Sequence, residues 1–297
     1  MPRSLIAAVL VALAAVTLAA PVPRAQVNQW LIAMDGDLFL FTEGDEKPTK
    51  LTDGKSRYED PAWSPDGKRI AYSSNKSDHS QIYVMDADGK NVTQLTHSEQ
   101  NHYAPNWSPD GRTIAFHREG VKDNEICTVN AKDGKDFQIL SNSEDFDPVF
   151  SPDGKTIAFV TAREPGEYML YTMDEDGQHA TKLIDYSVFS PAARPAWSPD
   201  GKRIAFPLET ENGFELHLVR PDGRELRAIT KFGHNKVERS PSWSPDGKKL
   251  SFLLYDYSDE GKGHESLWVM DANGDNPKEL LKLGRGHIYP IAQWRPK

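Results

Sequence analysis

The sequence predicts an all-β fold, a six-bladed β-propeller of four-stranded antiparallel blades, from three observations. First, one phrase built around Ser-Pro-Asp-Gly occurs five times along the chain. Second, the aromatic residues just before those five phrases lie 44, 43, 47 and 46 positions apart. Third, the two ends of the chain carry fragments that complete one another. A repeat period in the mid-forties, filled with short strands, is typical of propeller arrays.

Each full copy contains four strand signals, rich in β-branched, aromatic and aliphatic residues. In the first copy they are the segment ending at Trp63, then RIAY from Arg69, QIYVMD from Gln81 and TQLT from Thr93. In the Ser-Pro-Asp-Gly turn, Pro presets φ at the first corner and Gly supplies the positive φ that closes the hairpin. The five copies of the phrase span residues 61–72, 105–116, 148–159, 195–206 and 241–252.

The two ends of the mature chain predict how the ring closes. The segment QWLIAMDGDLFLFTEGDEKPTKLT, from Gln29, supplies second, third and fourth strands without a first. The C-terminal segment HIYPIAQWRPK supplies a first strand, with Trp294 in the aromatic position. We therefore expect one C-terminal strand to join three N-terminal strands, which removes two exposed sheet edges. Residues 27–297 would then form a single propeller domain.

Residues 1–26 are predicted to be a signal peptide. A basic start at Arg3 precedes an apolar run that ends at Ala20, which is the layout of a secretory signal. Cleavage near Ala20 and cleavage near Ala25 both remain open. The alternative is a short membrane anchor, although the run is short for a span; no Cys follows it, which argues against a lipoprotein anchor. We expect a periplasmic or secreted protein with no stable membrane span once the signal is cleaved.

Composition and motifs narrow the function classes. The net charge of −9 argues against a nucleic-acid partner, which needs a basic surface. The single cysteine, Cys127, allows no internal disulfide and falls at a position typical of a core filler. No Ser/His/Asp set, Cys/His pair, phosphate-binding loop or GxSxG elbow is evident, so we expect a protein that is not an enzyme. We also expect a monomer.

The repeated PxWSPDG and IYVMDADG phrases give the chain a specific resemblance. With them, residues 27–297 resemble the six-bladed propeller of the TolB family, whose members serve the periplasmic side of the Tol-Pal envelope system. The resemblance does not extend to the α/β domain that precedes the propeller in that family. It implies a rigid ring with a binding face, which TolB uses to hold the peptidoglycan-associated lipoprotein. A protein partner in the envelope, such as a lipoprotein or a membrane protein, is the corresponding expectation.

The loops that enter each first strand are expected to lie nearest the propeller axis and to form a partner-binding rim. They are rich in acids, Arg and Tyr, a mixture that suits a protein partner with its own charged groups. The predicted rim residues are Tyr58, Glu59, Asp60, His102, Tyr103, Asp145, Asp147, Arg194, Glu238, Arg239, His287 and Tyr289.

Three other interpretations of these loops stay open. His102 and His287, with Asp145 and Asp147, are candidate ligands for a transition metal or Ca²⁺ in the channel, although no cofactor is the leading expectation. An enzyme or a carbohydrate-binding protein, of lyase or hydrolase type, would use carboxylates such as Glu59 and Asp145 as acid and base across the channel. A component of a larger complex would show an exposed apolar patch. The Asp-Ala-Asp-Gly turns lack the ligand pattern of a Ca²⁺ loop and are predicted to be hairpin turns.

Overall fold

The computed structural model describes residues 27–164, 167–188, 194–211, 213–258, 263–284 and 291–297. Those ranges consist of short strands joined by turns and contain no helix. The predicted signal peptide, residues 1–26, lies outside the described residues, as do His287 and Tyr289 of the predicted rim.

The strands fall into four sets, according to their place between the axis and the outside of the propeller. The inner strands are β4 (Tyr58–Trp63), β8 (His102–Trp107), β12 (Asp145–Phe150), β16 (Ala196–Trp197), β20 (Lys236–Trp243) and β24 (Ile291–Trp294). The second strands are β1 (Gln29–Met34), β5 (Arg69–Ser74), β9 (Thr113–Glu119), β13 (Thr156–Thr161), β17 (Ile204–Thr210) and β21 (Lys249–Asp256). The third strands are β2 (Asp37–Thr42), β6 (Gln81–Asp86), β10 (Asn124–Asn130), β14 (Tyr168–Asp174), β18 (Gly213–Val219) and β22 (His264–Asp271). The outer strands are β3 (Thr49–Lys50), β7 (Thr93–Gln94), β11 (Gln138–Ser141), β15 (Thr181–Val188), β19 (Arg227–Ala228) and β23 (Lys278–Gly284).

The expected count of six separate four-stranded blades is wrong, because the strands form four hydrogen-bonded sheets. Three sheets have four strands each, and the fourth sheet joins the twelve strands from β12 to β23. Two single residue pairs make the joins: Val188 with Leu208, antiparallel, and Phe214 with Val237, parallel. The joins form where β15 and β20 run for eight residues each and so reach a neighbouring strand. The all-β propeller itself is as expected.

The predicted closure of the ring is confirmed. Strand β24 pairs antiparallel with β1, and the sheet order is β24-β1-β2-β3. Trp30 lies opposite Trp294, and their ring centroids are 4.7 Å apart. The backbone N–H of Arg295 donates to the carbonyl of Gln29 over 2.8 Å, which continues the ladder beyond the strand.

The Ser-Pro-Asp-Gly turns fold as the sequence predicts, with one hydrogen-bond pattern in each copy. In the first copy the Ser64 hydroxyl donates to Asp66 Oδ1 over 2.7 Å. That hydroxyl also accepts the Arg69 N–H over 2.9 Å. Gly67 closes the turn with φ of 64° and donates its N–H to the Ser64 carbonyl over 2.8 Å. These bonds fix the register of each first hairpin.

The tryptophans tie neighbouring inner strands together. Trp107 is 5% exposed, and its Nε1 donates to the Ala62 carbonyl over 3.1 Å. Trp197 and Trp243 make the same kind of bond to the inner strand before them. Cys127 is fully buried in the cluster that contains Trp107, which confirms its predicted place in the core.

In five of the repeats a left-handed residue stands directly before the first proline of the inner strand or, at β16, before the proline that precedes it. These residues are Asp60, Ala104, Asp147, Arg194 and Ser240, with φ between 34° and 55°. Proline normally pushes the preceding residue into extended conformations, so the left-handed backbone is unusual there. In four of the strands the pairing register shifts at this point. The inner strands contact one another in the cyclic order β4, β8, β12, β16, β20, β24 and back to β4. The left-handed residues therefore form a ring around the axis.

Candidate functional site

One ion pair spans the axis of this ring. Arg194 Nη2 lies 2.5 Å from Asp60 Oδ1, although β16 and β4 are three places apart in the cyclic order of inner strands. Asp60 Oδ2 also accepts the Ala104 N–H over 3.1 Å and the Ser73 hydroxyl over 2.9 Å. Both ionic side chains are less than a fifth exposed. Along β4, Asp60 lies between Tyr58 on the loop side and Trp63 on the side of the Ser-Pro-Asp-Gly turns.

Asp147 lies beside the cross-axis pair and is 4% exposed. Its Oδ1 is 3.7 Å from Arg194 Nε and 3.8 Å from His117 Nδ1. Burial raises the pKa of Asp147 to about 7, against the opposing charge of Arg194. Its Oδ2 has no hydrogen-bond partner in the described part of the chain.

His117 lies next to Asp147 and is a neutral imidazole. Its Nδ1 accepts the backbone N–H of Asp147 over 3.4 Å, which requires an unprotonated nitrogen. Burial lowers the pKa of His117 to about 4. Its ring lies 5.6 Å from Tyr103 on one side and 5.6 Å from Phe146 on the other.

Four predicted rim residues occupy equivalent places at the starts of inner strands, where the structure buries them. They are Tyr58, His102, Asp145 and Glu238, each 5% exposed or less. Tyr58 donates its hydroxyl to Asp53 Oδ1 over 2.6 Å, and Asp145 pairs with Arg163 over 2.8 Å. These side chains anchor the loops from within the molecule. Asp145 therefore does not face Glu59 across an open channel, as an acid–base pair would require.

Burial shifts the pKa values of the other two residues of this set, His102 and Glu238. His102 Nε2 lies 3.1 Å from the Ser98 hydroxyl, and burial lowers the pKa of His102 to about 4. Glu238 Oε2 accepts the Leu216 N–H over 3.0 Å, while burial raises the pKa of Glu238 to about 7.

The next residue of each inner strand is more accessible. The Glu59 side chain is 32% exposed and pairs with Arg57 over 2.9 Å. Burial and the neighbouring Asp60 raise the pKa of Glu59. Tyr103 is half-buried, and Arg239 pairs with Glu265 over 2.7 Å. We call Glu59, Tyr103, Phe146 and Arg239 the loop-side ring.

The sequence pattern did not reveal His117, Arg163 or Glu265 as partners of the predicted residues. His117 lies within β9, opposite Tyr103 in the hairpin register. Counting outward from the Ser-Pro-Asp-Gly turn would have paired the two residues. Arg163 and Glu265 come from neighbouring strands or loops of the same unit, which only the folded hairpins bring to Asp145 and Arg239.

The predicted metal ligands do not form a group in the described residues. Within those ranges, no three His, Cys, Asp or Glu side chains are close enough to hold a metal ion. Asp145 is engaged by Arg163, and His102 by Ser98. The metal candidates stay predictions, since His287 lies outside the described residues.

A cavity of about 530 Å³ opens at the other end of the axis, on the side of the Ser-Pro-Asp-Gly turns. Asp147 and Arg194 are among the residues that line it, together with the four tryptophans Trp63, Trp197, Trp243 and Trp294. The prolines of the five Ser-Pro-Asp-Gly turns also line it, together with Pro296 near the C-terminus: Pro65, Pro109, Pro152, Pro199, Pro245 and Pro296. The partner-binding rim was expected on the loop side, and the alternative enzyme or binding site at the loop face or in the central channel; this cavity is the turn-side end of that channel. No helix in the described ranges is long and apolar enough to cross a membrane.

Comparisons with known proteins show the family to which this chain belongs. The family model described as TolB beta propeller domain matches residues 31–193. The Tol-Pal system protein TolB of Wolbachia sp. subsp. Drosophila simulans is 42% identical over 50 residues, 17% of this chain and 12% of that protein. The crystal structure of TolB from Acinetobacter baumannii has a TM-score of 0.74 at 22% identity, over 91% of this chain and 67% of that chain. An oligogalacturonate lyase in complex with manganese has a TM-score of 0.56 at 15% identity, over 86% of this chain and 73% of that chain.

These likenesses differ in what they show. The two solved structures are less than 25% identical to this chain, so they show a shared fold and no more. The chain matches only a small part of its curated relatives: 12% of the Wolbachia TolB, and 10% of the uncharacterized peptidase YuxL of Bacillus subtilis, to which it is 31% identical over 67 residues.

Proposed function

Because this chain belongs to the TolB β-propeller domain family, we propose that it is an exported, non-enzymatic scaffold that binds a protein partner in the bacterial cell envelope. The relative named for the Tol-Pal system supports the envelope setting. The apolar N-terminal run of the sequence supports export.

The loop-side ring is the observation that carries this proposal. Glu59, Tyr103, Phe146 and Arg239 occupy the same position in four inner strands, and each is part-exposed. An acid, an arginine and two aromatic rings around one axis suit a protein interface, where Tyr, Phe and Arg are enriched. The carboxylate and the guanidinium add specificity for a partner of complementary charge.

Affinity capture from the native envelope, after mild cross-linking, tests the proposal. The chain would be expressed with its own signal and a C-terminal tag, and the captured proteins would be identified by mass spectrometry. We expect one envelope protein at near-stoichiometric yield, and we expect Glu59→Lys and Tyr103→Ala each to reduce its capture about tenfold or more.

A matched charge change on the opposite face controls for net charge. Glu175 is exposed in the turn after β14, beside the Ser-Pro-Asp-Gly turns, so Glu175→Lys makes the same charge change and should leave capture unchanged. Circular dichroism would establish that all variants are folded. Capture that is equally strong in Glu59→Lys, Tyr103→Ala and the unchanged protein would remove the loop-side ring as the binding surface, and no captured protein would count against the scaffold role.

A further inference from the structure

We propose that the cavity on the Ser-Pro-Asp-Gly side is a second binding site, which takes an uncharged aromatic residue of a peptide together with its flanking main-chain amides. This site is separate from the loop-side ring and does not depend on the function proposed for that ring.

The cross-axis pair makes the two sites separate. Arg194 lines the cavity, and its Nη2 lies 2.5 Å from Asp60 Oδ1, on the loop side of Arg194. A group that enters from the turn side therefore stops at this pair and does not reach Glu59 or Tyr103.

The cavity walls favour an apolar and uncharged ligand. Prolines and tryptophans make up half of the lining residues, and proline walls are rigid because φ is fixed. Asp147, Arg194 and Lys297 are the charged residues among those that line it. Arg194 is already matched by Asp60, and the Asp147 carboxylate is buried. Lys297 is exposed to solvent, so it screens a charge only weakly. Deeper in the cavity, beside Asp147 and Arg194, a charged ligand would lose hydration without finding an accessible counter-charge.

Two side-chain amides supply specificity. Asn106 Oδ1 accepts the Phe150 N–H over 3.0 Å, and Gln293 Oε1 accepts the Trp63 N–H over 2.7 Å. These bonds fix the orientation of both amides, because only their oxygens can accept. Both residues line the cavity and are part-exposed.

The amide nitrogens are consequently left as donors toward the cavity. Neither Asn106 Nδ2 nor Gln293 Nε2 has an acceptor among the described residues. Such donors match carbonyl oxygens, and a main-chain amide supplies one on each side of a residue. An aromatic side chain fits the proline and tryptophan walls, and about 530 Å³ lies in the range of small-ligand cavities.

The test uses N-acetyl-tryptophanamide, an uncharged indole with two amide carbonyls, titrated into ¹⁵N-labelled protein. We expect saturable shifts of the side-chain NH₂ signals of Asn106 and Gln293. N-acetyl-tryptophan and tryptamine share the indole but carry a negative and a positive charge. We expect each to bind about tenfold more weakly, in keeping with the cost of desolvating a charge.

Asn106→Asp and Gln293→Glu keep the oxygen that bridges to Phe150 or Trp63 and remove the donor. Each substitution should weaken binding of N-acetyl-tryptophanamide roughly tenfold. The ligand loses one hydrogen bond, and its carbonyl oxygen then faces a carboxylate oxygen, which cannot donate. Gln178→Glu, in an exposed turn, repeats the charge change elsewhere and should leave binding unchanged. Glu59→Lys should also leave it unchanged, since the loop-side ring is a different site.

Two results would overturn the proposal, and both are available from folded protein. One is the absence of saturable shifts at Asn106 and Gln293 in the unchanged protein. The other is equal affinity for the neutral, anionic and cationic indoles, which would show that the cavity does not select uncharged ligands.

Discussion

Arg194 Nη2 lies 2.5 Å from Asp60 Oδ1 and joins two inner strands that face one another across the propeller axis. Both residues adopt left-handed backbone conformations directly before a proline. The pair therefore braces the ring from the inside, in addition to the bonds between neighbouring inner strands. It also leaves Asp147 beside a guanidinium that is already engaged by another carboxylate.

Replacing Arg194 with Met should destabilise the fold by about 3 kcal/mol at pH 8, because it leaves a largely buried carboxylate without its partner. The loss should be smaller at pH 5, where Asp147 is protonated and only Asp60 needs compensation. Urea unfolding at the two pH values measures both quantities.

Arg112→Met is the matched control for that variant. Arg112 is 85% exposed in its side chain and lies 3.8 Å from Asp110, so its removal should cost less than about 1 kcal/mol. A loss for Arg194→Met no larger than this control would show that the cross-axis pair does not brace the ring.

Asp147 should make the stability of the protein fall as the pH rises. Its pKa is about 7 in the folded state and about 4 in an unfolded chain, so the folded state binds more protons between these values. The free energy of unfolding is therefore lost progressively from about pH 4 to pH 7. Asp147→Asn removes this titration. The difference in free energy of unfolding between Asp147→Asn and the unchanged protein should therefore shift in favour of the variant by roughly 2–4 kcal/mol from pH 4 to pH 8.

Chemical unfolding at several pH values, on both proteins, checks this prediction. Glu238 also titrates near pH 7 by burial and gives a slope of the same sign, so the difference between the two proteins is the relevant quantity. Parallel stability curves for Asp147→Asn and the unchanged protein would contradict the raised pKa of Asp147.

Trp294→Ala should cost about 3–5 kcal/mol, because it removes a buried aromatic side chain from the junction between β24 and β1. Trp294 is 5% exposed and its ring contacts Trp30. Its backbone N–H, which the variant keeps, donates to Ser242 Oγ over 2.9 Å. Thermal unfolding measures the loss. Tyr186→Ala, at a tyrosine that is 58% exposed, should change stability by less than about 0.5 kcal/mol. Similar midpoint temperatures of thermal unfolding for Trp294→Ala and Tyr186→Ala would argue against β24 as the strand that closes the ring.

Much of the fold was predictable because the turn chemistry is local. The Ser-Pro-Asp-Gly phrase fixes a hairpin through the Ser64 hydroxyl and the positive φ of Gly67, and each copy repeats these features. The pairing of β24 with β1 also followed from the fragments at the two ends. The merging of β12–β23 into one sheet was not predictable, since it depends on single pairs such as Val188 with Leu208 between neighbouring units.

The candidate site was harder to predict from the sequence. The position of the loops before each inner strand predicted that Asp60, Asp147 and Arg194 lie near the axis, and the structure brings these three residues together. Loop position did not separate the accessible Glu59 from Asp145, which is fully buried against Arg163. Neighbouring residues of one strand point to opposite sides, and which side is buried depends on the packing of the adjacent unit.

The sequence by itself determined that the chain is an all-β propeller, where its hairpins turn and how its ends meet, because short-range turn chemistry and a repeat period carry that information. Only the tertiary structure decided which rim residues are buried, that Arg194 crosses the axis to Asp60, and that Asn106 and Gln293 line a cavity with their amide oxygens bonded to Phe150 and Trp63. Those features arise between residues far apart in the chain, whose distances and burial are set by the packing of the whole ring.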